Sequence, residues 1–577
     1  MPYPMGGVNM PEHISIGNQG FDSIREARSF YIDKTYFINE WWESRACVTL
    51  ITRPRRFGKT LNMSMLNCFF SMKYADRGDL FEGLSVWEDE KYRALQGTYP
   101  TVFLSFAEVK QSNCKDAIRQ IKKVIAEAYR QYAFLEESDK LGGVYREQFK
   151  KVTPEMDDVT AQNALKDLCN YLSIYYGRKT ILLLDEYDTP MQEAYVNGYW
   201  EELIAFLRSF FNLTFKTNPY MERSMMTGIT RVSKESIFSD LNNLNVVTTT
   251  SKEYATCFGF TEEEVFAALE MFHMEDKKQV VKQWYDGFTF GGHRDIYNPW
   301  SITNFLTQGE LRPYWTATSS NALVNKLIQR ASGDIKEKME QLLQGQIITV
   351  NFDEQIVFDQ LDDDENAVWS LLVASGYLKV NEVEYRGITL EPWYYLSITN
   401  LETTGMFSNM FRGWFRNSSA YYNEFIKAML QGDINGMNEY MNEIALHTFS
   451  SFDVGKHPSG KSEPERFYHG FVLGLLVELR DSYQISSNRE SGYGRYDVML
   501  IPRDNGKKAF VIEFKVYNPR KEKNLEDTVG AALEQIARRH YDVQLEDMGI
   551  AKESITHYGF AFEGKTVLID TDMNKTV

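Results

Sequence analysis

The stretch Ile51-Thr52-Arg53-Pro54-Arg55-Arg56-Phe57-Gly58-Lys59-Thr60 joins an apolar run, Ala46 to Ile51, to a helical pattern from Leu61 to Phe70. A loop ending GxxxxGK[ST] can cradle a triphosphate: its backbone N–H groups wrap the phosphates, the lysine reaches the β and γ oxygens, and the hydroxyl holds Mg²⁺. Gly58, Lys59 and Thr60 supply that ending. Arg53 stands where the pattern opens with glycine; arginine can neutralise phosphate but lacks glycine's tolerance of φ > 0. Taken alone, the stretch reads equally well as a basic loop entering a helix. Thr180-Ile181-Leu182-Leu183-Leu184-Asp185-Glu186 shifts the reading toward a nucleotide. It is a buried-strand run ending in two acids, of which Asp185 would hold Mg²⁺ through water and Glu186 would polarise the attacking water. The expected nucleotide set is Arg53, Arg55, Arg56, Phe57, Gly58, Lys59, Thr60 and Asp185. Thr227-Gly228-Ile229-Thr230-Arg231 closes another strand, where Thr230 or Arg231 could sense a γ-phosphate; a helix N-cap threonine and a surface arginine fit the same residues.

A second cluster lies near the C-terminus. Gly494-Arg495-Tyr496-Asp497 opens one strand run, and Ala509-Phe510-Val511-Ile512-Glu513-Phe514-Lys515 forms the next. Joined through Asp504-Asn505-Gly506 they read as a β-hairpin. With Gly506 in the left-handed position, Asp497 sits opposite Glu513, and Lys515 shares Glu513's face. Two carboxylates can hold a divalent ion, and a neighbouring lysine can position or deprotonate a water and steady charge developing on a phosphate. A surface hairpin with an ordinary salt bridge explains the charges, but not why Glu and Lys interrupt an otherwise apolar strand. A third acid would come from the preceding helix, which starts near Glu463-Pro464-Glu465. Glu465 and Glu478 lie on nearly opposite faces of it, so only one can point inward; Glu490 is a further candidate. Arg520, Lys521 and Lys523 with Arg538-Arg539-His540 make the most basic local region, able to meet a phosphate backbone or to be a solvated face.

The elements that must position these groups follow from patterning. Strand signals at 46–52, 99–106, 180–185, 224–228 and 246–250 alternate with helical patterns such as Cys114 to Tyr132. That alternation implies a parallel sheet with right-handed crossovers and a site at the strands' carboxyl ends. The expected regions are an N-terminal arm (1–20), the α/β domain (21–259) and a helical lid (260–349). A small winged-helix-like module (350–416), a helical connector ending in a hinge near 456–461 (417–462) and a C-terminal α/β domain (463–577) follow. Trp284-Tyr285-Asp286-Gly287-Phe288 and Tyr297-Asn298-Pro299-Trp300-Ser301 read as packed corners without a catalytic role.

At 577 residues the chain exceeds one core, and 43% hydrophobic residues suffice to fill several. The 63 basic against 80 acidic residues (net −17) leave no global field for nucleic acid, so any such contact must use local patches. Five scattered cysteines without CxxC spacing point to reduced thiols and a cytoplasmic protein. No leader pattern and no membrane-length apolar run is present, so no membrane contact is expected.

The two clusters together resemble a bacterial family of AAA-ATPase-like proteins that carry a PD-(D/E)XK nuclease-superfamily domain at the C-terminus. The resemblance covers nearly the whole chain. It rests on Tyr31-Ile32-Asp33-Lys34-Thr35, Arg53 to Leu61, Leu184-Asp185-Glu186-Tyr187-Asp188, Ser375-Gly376-Tyr377-Leu378, and Gly494-Arg495-Tyr496-Asp497 with Glu513-Phe514-Lys515. Arg53 is usual in that family. The resemblance implies an α/β fold: a P-loop AAA-type parallel-sheet ATPase domain with lid and winged-helix-like module, plus a nuclease-like domain. It implies ATP and Mg²⁺ at Lys59, Thr60, Asp185 and Glu186. It further implies Mg²⁺ or Mn²⁺ at Asp497 and Glu513, with Glu465 as a further metal acid, Lys515 as the catalytic lysine and Gln535 in support. Nucleic acid, DNA ahead of RNA, is the implied partner, a homo-oligomer of ATPase domains is one means of transmission, and defence or mobile-element biology is the implied setting. Two readings compete: an ATPase whose nucleotide state controls phosphodiester cleavage, and a nucleotide-switched module that grips nucleic acid or protein without cutting. A scaffold with both sites vestigial fits poorly with intact GKT, DE and D…ExK sets.

Overall fold

The apolar runs become the strands of a parallel sheet in the computed structural model. It describes residues 13–216, 218–230, 241–318, 322–354, 364, 366–414, 419–452, 462–491, 494–504 and 506–572. β1 (Val48–Thr52), β2 (Thr101–Ser105), β3 (Thr180–Asp185), β4 (Met221–Gly228) and β5 (Leu244–Val247) lie in the order β2-β3-β4-β1-β5, every pairing parallel. β1 and β3 are buried at every position, as strands covered on both faces must be. β4 lies between them, so the carboxyl ends bearing Thr52, Asp185 and Gly228 emerge side by side. β5 stops at Val247, short of the expected run to Thr250.

The loop after β1 enters helix Lys59–Phe70, with Gly58 as N-cap at φ 78. Left-handed backbone is needed at Arg56 (φ 66) and Gly58, not at Arg53. An arginine at the pattern's first position therefore introduces no backbone strain.

The chain divides into two compact units. The first comprises Met1–Ser320 and Thr349–Thr403; the second comprises Asn321–Ile348 and Thr404–Val577. Residues 321–348, expected in the lid, thus belong by their contacts to the second unit. The rest of the lid region is not wholly helical: β6 (Phe260–Thr261), β7 (Phe288–Phe290) and β8 (His293–Tyr297) form a small sheet in the order β6-β8-β7. Helix Glu262–Met271 starts on a capping box between Thr261 and Glu264. Beyond it, β9 (Ile348–Asn351) and helix Ala367–Ala374 precede β10 (Leu378–Arg386) and β11 (Glu391–Ile398), and the three strands pair in the order β10-β11-β9. Asp362, Asp363 and Glu365 lie outside the described residues.

In the second unit β12 (Tyr483–Ser491), β13 (Gly494–Pro502), β14 (Ala509–Val516), β15 (Ile555–Glu563) and β16 (Thr566–Thr571) pair in chain order. Only β14 and β15 run parallel, joined through helix Leu525–Arg539. Its apolar face, with Val529, Leu533 and Ile536, packs with Met499, Val511 and Ala561. The β13–β14 pairing, Val498↔Ile512 to Leu500↔Phe510, sets Asp497 opposite Glu513 as anticipated. The turn does not decide it: the connection spans 503–508, Asn505 lies outside the described residues, and Gly506 is not left-handed. Register comes instead from packing on two buried faces, Met499 and Val511 on one and Val498, Leu500, Phe510 and Ile512 on the other, because a one-residue slip would exchange the two sets between faces shaped for different side chains.

The connector region contributes helices Ser419–Gln431 and Ile434–Phe452. Asn438 and Asn442, one turn apart, each exchange two hydrogen bonds with the backbone of β16, at Ile569 and Val567, over 2.7–2.9 Å. They occupy edge-strand groups that would otherwise offer a template to another strand. The hinge residues 456–461 lie outside the described residues.

Candidate functional site

Lys59, Thr60 and Glu186 line a cleft of about 540 Å³ in the first unit, with Arg55, Arg56 and Gly58 on the same wall. Lys59 is buried, and its Nζ donates to the carbonyls of Arg53 (3.0 Å) and Pro54 (2.9 Å), folding back over its own loop. Burial lowers its pKa, against the opposing pull of Glu186, Asp185 and Asp188. Asp185 sits behind Thr60: one carboxylate oxygen accepts from Thr60 Oγ1 at 2.7 Å and the other from Thr227 Oγ1. Burial raises its pKa despite those two hydroxyls. Glu186 takes a left-handed backbone (φ 54) and accepts from Thr189 Oγ1 at 2.8 Å; such strain in a non-glycine residue is characteristic of functional sites.

Three residues read as nucleotide contacts have other partners, although Phe57 also lines the cleft. Arg53 is fully buried. Its guanidinium donates to the carbonyls of Thr52 (2.9 Å) and Thr248 (2.7 Å) and lies over the Phe290 ring. An arginine so committed clamps the loop to the end of β5 and offers no charge to a ligand; burial pulls its pKa down to about 10. Phe57 turns its ring into the small sheet against Phe288 and Phe290. Thr230 gives its hydroxyl (2.7 Å) and its N–H (2.8 Å) to Asp188, which also accepts from Ile229 N. Asp188 thereby ties the segment after β3 to the end of β4, and Gly228 makes room for it: a Cβ there would come within 2.6 Å of the Asp188 carboxylate. Arg231 lies outside the described residues.

In the second unit Asp497, Glu513 and Lys515 are drawn together. Asp497 Oδ2 accepts from Phe514 N at 2.7 Å across the hairpin. Gln535, from helix Leu525–Arg539, bridges the other two: its Nε2 donates to Glu513 Oε1 and its Oε1 accepts from Lys515 Nζ at 2.8 Å. The same Nε2 lies 3.2 Å from Tyr541 Oη. Glu513 is only 3% exposed, and its second oxygen has no hydrogen-bond partner among the described residues. Burial first, then Asp497, push its pKa up to about 8, against the pull of Lys515. Glu478 points elsewhere, pairing with Arg412 at 2.7 Å. The side chains of Glu465 and Glu490 lie outside the described set.

Comparison with known proteins matches residues 15–238 to a family described as a predicted AAA-ATPase. Residues 463–572 match the PD-(D/E)XK nuclease superfamily. The chain joins an AAA-ATPase-like domain to a PD-(D/E)XK nuclease-superfamily domain. It is also similar to an uncharacterized protein in the vnfD 5'region of Azotobacter chroococcum mcd 1, 24% identical over 545 residues and covering 92% of each chain. Among the described residues no helix is long and apolar enough to cross a membrane.

The nuclease-superfamily site fits a divalent cation. A buried carboxylate oxygen without a donor, beside a second carboxylate, is costly unless a cation satisfies it. In the AAA-ATPase-like domain, Thr60 and Asp185 meet as a hydroxyl and carboxylate able to serve Mg²⁺.

Sequence reasoning missed much of the cleft beside Lys59 and Thr60. Residues 13–20, expected as part of an arm, wall it instead: Ile14, Ser15 and Gly17 line it, and His13 O accepts from Phe30 N at 2.9 Å. Trp300, expected only in a packed corner, also lines it. Asn298-Pro299 is legible as a helix start. Nothing local reveals that this start faces the phosphate loop.

Proposed function

We propose that the AAA-ATPase-like domain binds and hydrolyses Mg²⁺-ATP, and that its nucleotide state controls metal-dependent cleavage of nucleic-acid phosphodiesters by the nuclease-like domain. The observation that carries the cutting half is the buried oxygen of Glu513 that has no partner among the described residues, beside Asp497, with Lys515 held alongside by Gln535. Asp497 and Glu513 would hold the cation, which supplies Lewis-acid polarisation of the phosphate and activation of a water. Lys515 keeps a proton-bearing nitrogen within hydrogen-bond reach of the same bridging amide as Glu513, where it can orient a water and steady phosphate charge. Gln535 fixes both side chains at once, and Tyr541 backs its amide. Exposed Arg520, Lys521, Lys523 and Arg538 on the same domain give an acidic protein a local surface for a phosphate backbone, with DNA favoured.

In the AAA-ATPase-like domain, Lys59 and the loop N–H groups would bind phosphate, Thr60 and Asp185 would hold Mg²⁺, and Glu186 would polarise water. The test is a cleavage assay over DNA and RNA forms, with and without ATP and Mg²⁺ or Mn²⁺. It compares wild type with Asp497→Ala and Lys515→Ala. Metal-dependent cleavage that falls by about 10²-fold or more in both variants and changes with ATP supports the reading; cleavage that stays within about tenfold of wild type in both variants rejects the assignment.

A further inference from the structure

Arg56 combines three features that the nucleotide reading does not explain. It takes left-handed backbone at φ 66 within the phosphate loop. Its guanidinium lies over the Trp300 ring, 4.4 Å from the centroid, and both residues line the cleft. Its N–H groups make no hydrogen bond or ion pair among the described residues, unlike Arg53, whose two Nη groups donate to carbonyls. Trp300 is a fixed platform. Its indole N–H donates to Tyr314 O at 3.2 Å and its backbone N–H to Asn298 Oδ1 at 2.9 Å. Asn298 in turn caps helix Pro299–Gln308 and donates through Nδ2 to Arg55 O, 3.3 Å away in the phosphate loop.

A guanidinium stacked on an aromatic face keeps its in-plane N–H donors available, and those donors match phosphate oxygens in pairs. Stacking and phosphate binding are therefore compatible, and the stack spends in advance the rotamer entropy of a long side chain. We propose that Trp300 is a positioning residue of the nucleotide site: it holds the Arg56 guanidinium flat at the cleft, with its free N–H edge presented to the polyphosphate of the bound nucleotide. This inference rests on the nucleotide reading of the cleft and adds to it the residue that pre-orders its exposed arginine. Trp300 acts through Arg56 on the phosphates and not by stacking on the base.

The test is equilibrium binding of ATP, ADP and adenosine to the full chain with Mg²⁺, for wild type, Trp300→Leu, Trp300→Phe, Arg56→Lys and the double variant Trp300→Leu/Arg56→Lys. A cation–π contact of partly exposed groups corresponds to a change of about three- to tenfold. Trp300→Leu is expected to weaken ATP by that factor and to leave adenosine unchanged, while Trp300→Phe restores most of the loss. Arg56→Lys should give a similar loss, and the double variant no more than either single one, because the two changes break one interaction. Equal weakening of ATP and adenosine would make Trp300 a base platform and overturn the proposal. So would unchanged ATP binding in Trp300→Leu, or additive losses in the double variant. Absence of ATP binding by wild type would overturn the nucleotide reading itself, and this proposal with it.

Discussion

Asp185 and Glu513, the buried acids of β3 and β14, are held in opposite ways. In the AAA-ATPase-like domain both oxygens of Asp185 accept hydroxyls from the chain, from Thr60 and Thr227, and Lys59 rests on loop carbonyls. In the nuclease-like domain Glu513 is left with a bare oxygen and with Asp497 close enough to push up its pKa. At Asp185 and Lys59 the first site is internally satisfied, so a ligand there must displace existing hydrogen bonds, although Asp188 keeps one buried oxygen without a partner among the described residues. The second is electrostatically incomplete, and a cation relieves it by displacing a proton from Glu513 and no hydrogen bond of the chain at that oxygen. Nucleotide binding should therefore depend on many modest contacts, and the nuclease-like site on a few decisive ones.

The contrast is sharpest in catalysis. Lys515→Ala and Asp497→Ala should each lower metal-dependent cleavage by about 10²- to 10³-fold, the usual cost of removing one preorganised electrostatic group. Steady-state cleavage rates check this. Loss of less than tenfold in both would mean that the charges are structural.

Next in size is the reaction of each domain to losing its buried charge. Arg53→Met should destabilise the first unit by about 2–4 kcal/mol, since it strands buried carbonyls at Thr52 and Thr248. It should leave ATP affinity of the folded protein within about twofold, because Arg53 does not face the cleft. Urea unfolding and ATP titration on the same variant separate the two effects; a large affinity loss without destabilisation would restore Arg53 as a ligand contact.

Glu513 gives a pH signature. Its pKa in the fold, about 8, lies above the ordinary value near 4.5. Its favourable contribution to metal-free stability is therefore fully present below about 4.5 and drains away as pH rises through about 8. Thermal unfolding of the metal-free protein should fall over that interval, and Glu513→Gln should flatten the fall. Mn²⁺ should raise the wild-type transition at pH 8 and leave that of Glu513→Gln nearly unmoved. The same slope in both proteins would show that Glu513 does not carry the strain described here.

The smallest effect tests packing alone. Asn438→Ala or Asn442→Ala should each cost about 1 kcal/mol, a typical net value for lost hydrogen bonds, and should increase self-association through the uncovered β16 edge. Light scattering during mild heating reads the second outcome.

Much of both sites was legible because it depends on short periods. Asp497 opposite Glu513, and Lys515 on Glu513's face, follow from alternation in buried strands, and the register held although the turn was not the one anticipated. GKT before a helix and DE after a buried strand were equally local. What escaped were meetings between distant segments. Arg53 reads as a phosphate ligand because its charge is visible in sequence, whereas one of the carbonyls that accept from it, at Thr248, comes from the segment just after β5, far away in the chain. Thr230 looked like a γ-phosphate sensor until Asp188, from another strand's exit, took its hydroxyl.

The amino-acid order alone determined which residue types stand at the two chemical centres, the strand runs that carry them and the phase in which their side chains alternate, since these depend on steric periods of two and 3.6 residues. Only the tertiary structure decided which charges are spent and which remain: Arg53 on carbonyls, Arg56 over the Trp300 ring, Gln535 between Glu513 and Lys515. The reason is physical. A polar group's availability is set by the partners that folding brings within about 3 Å of it, and those partners come from segments far away in the chain.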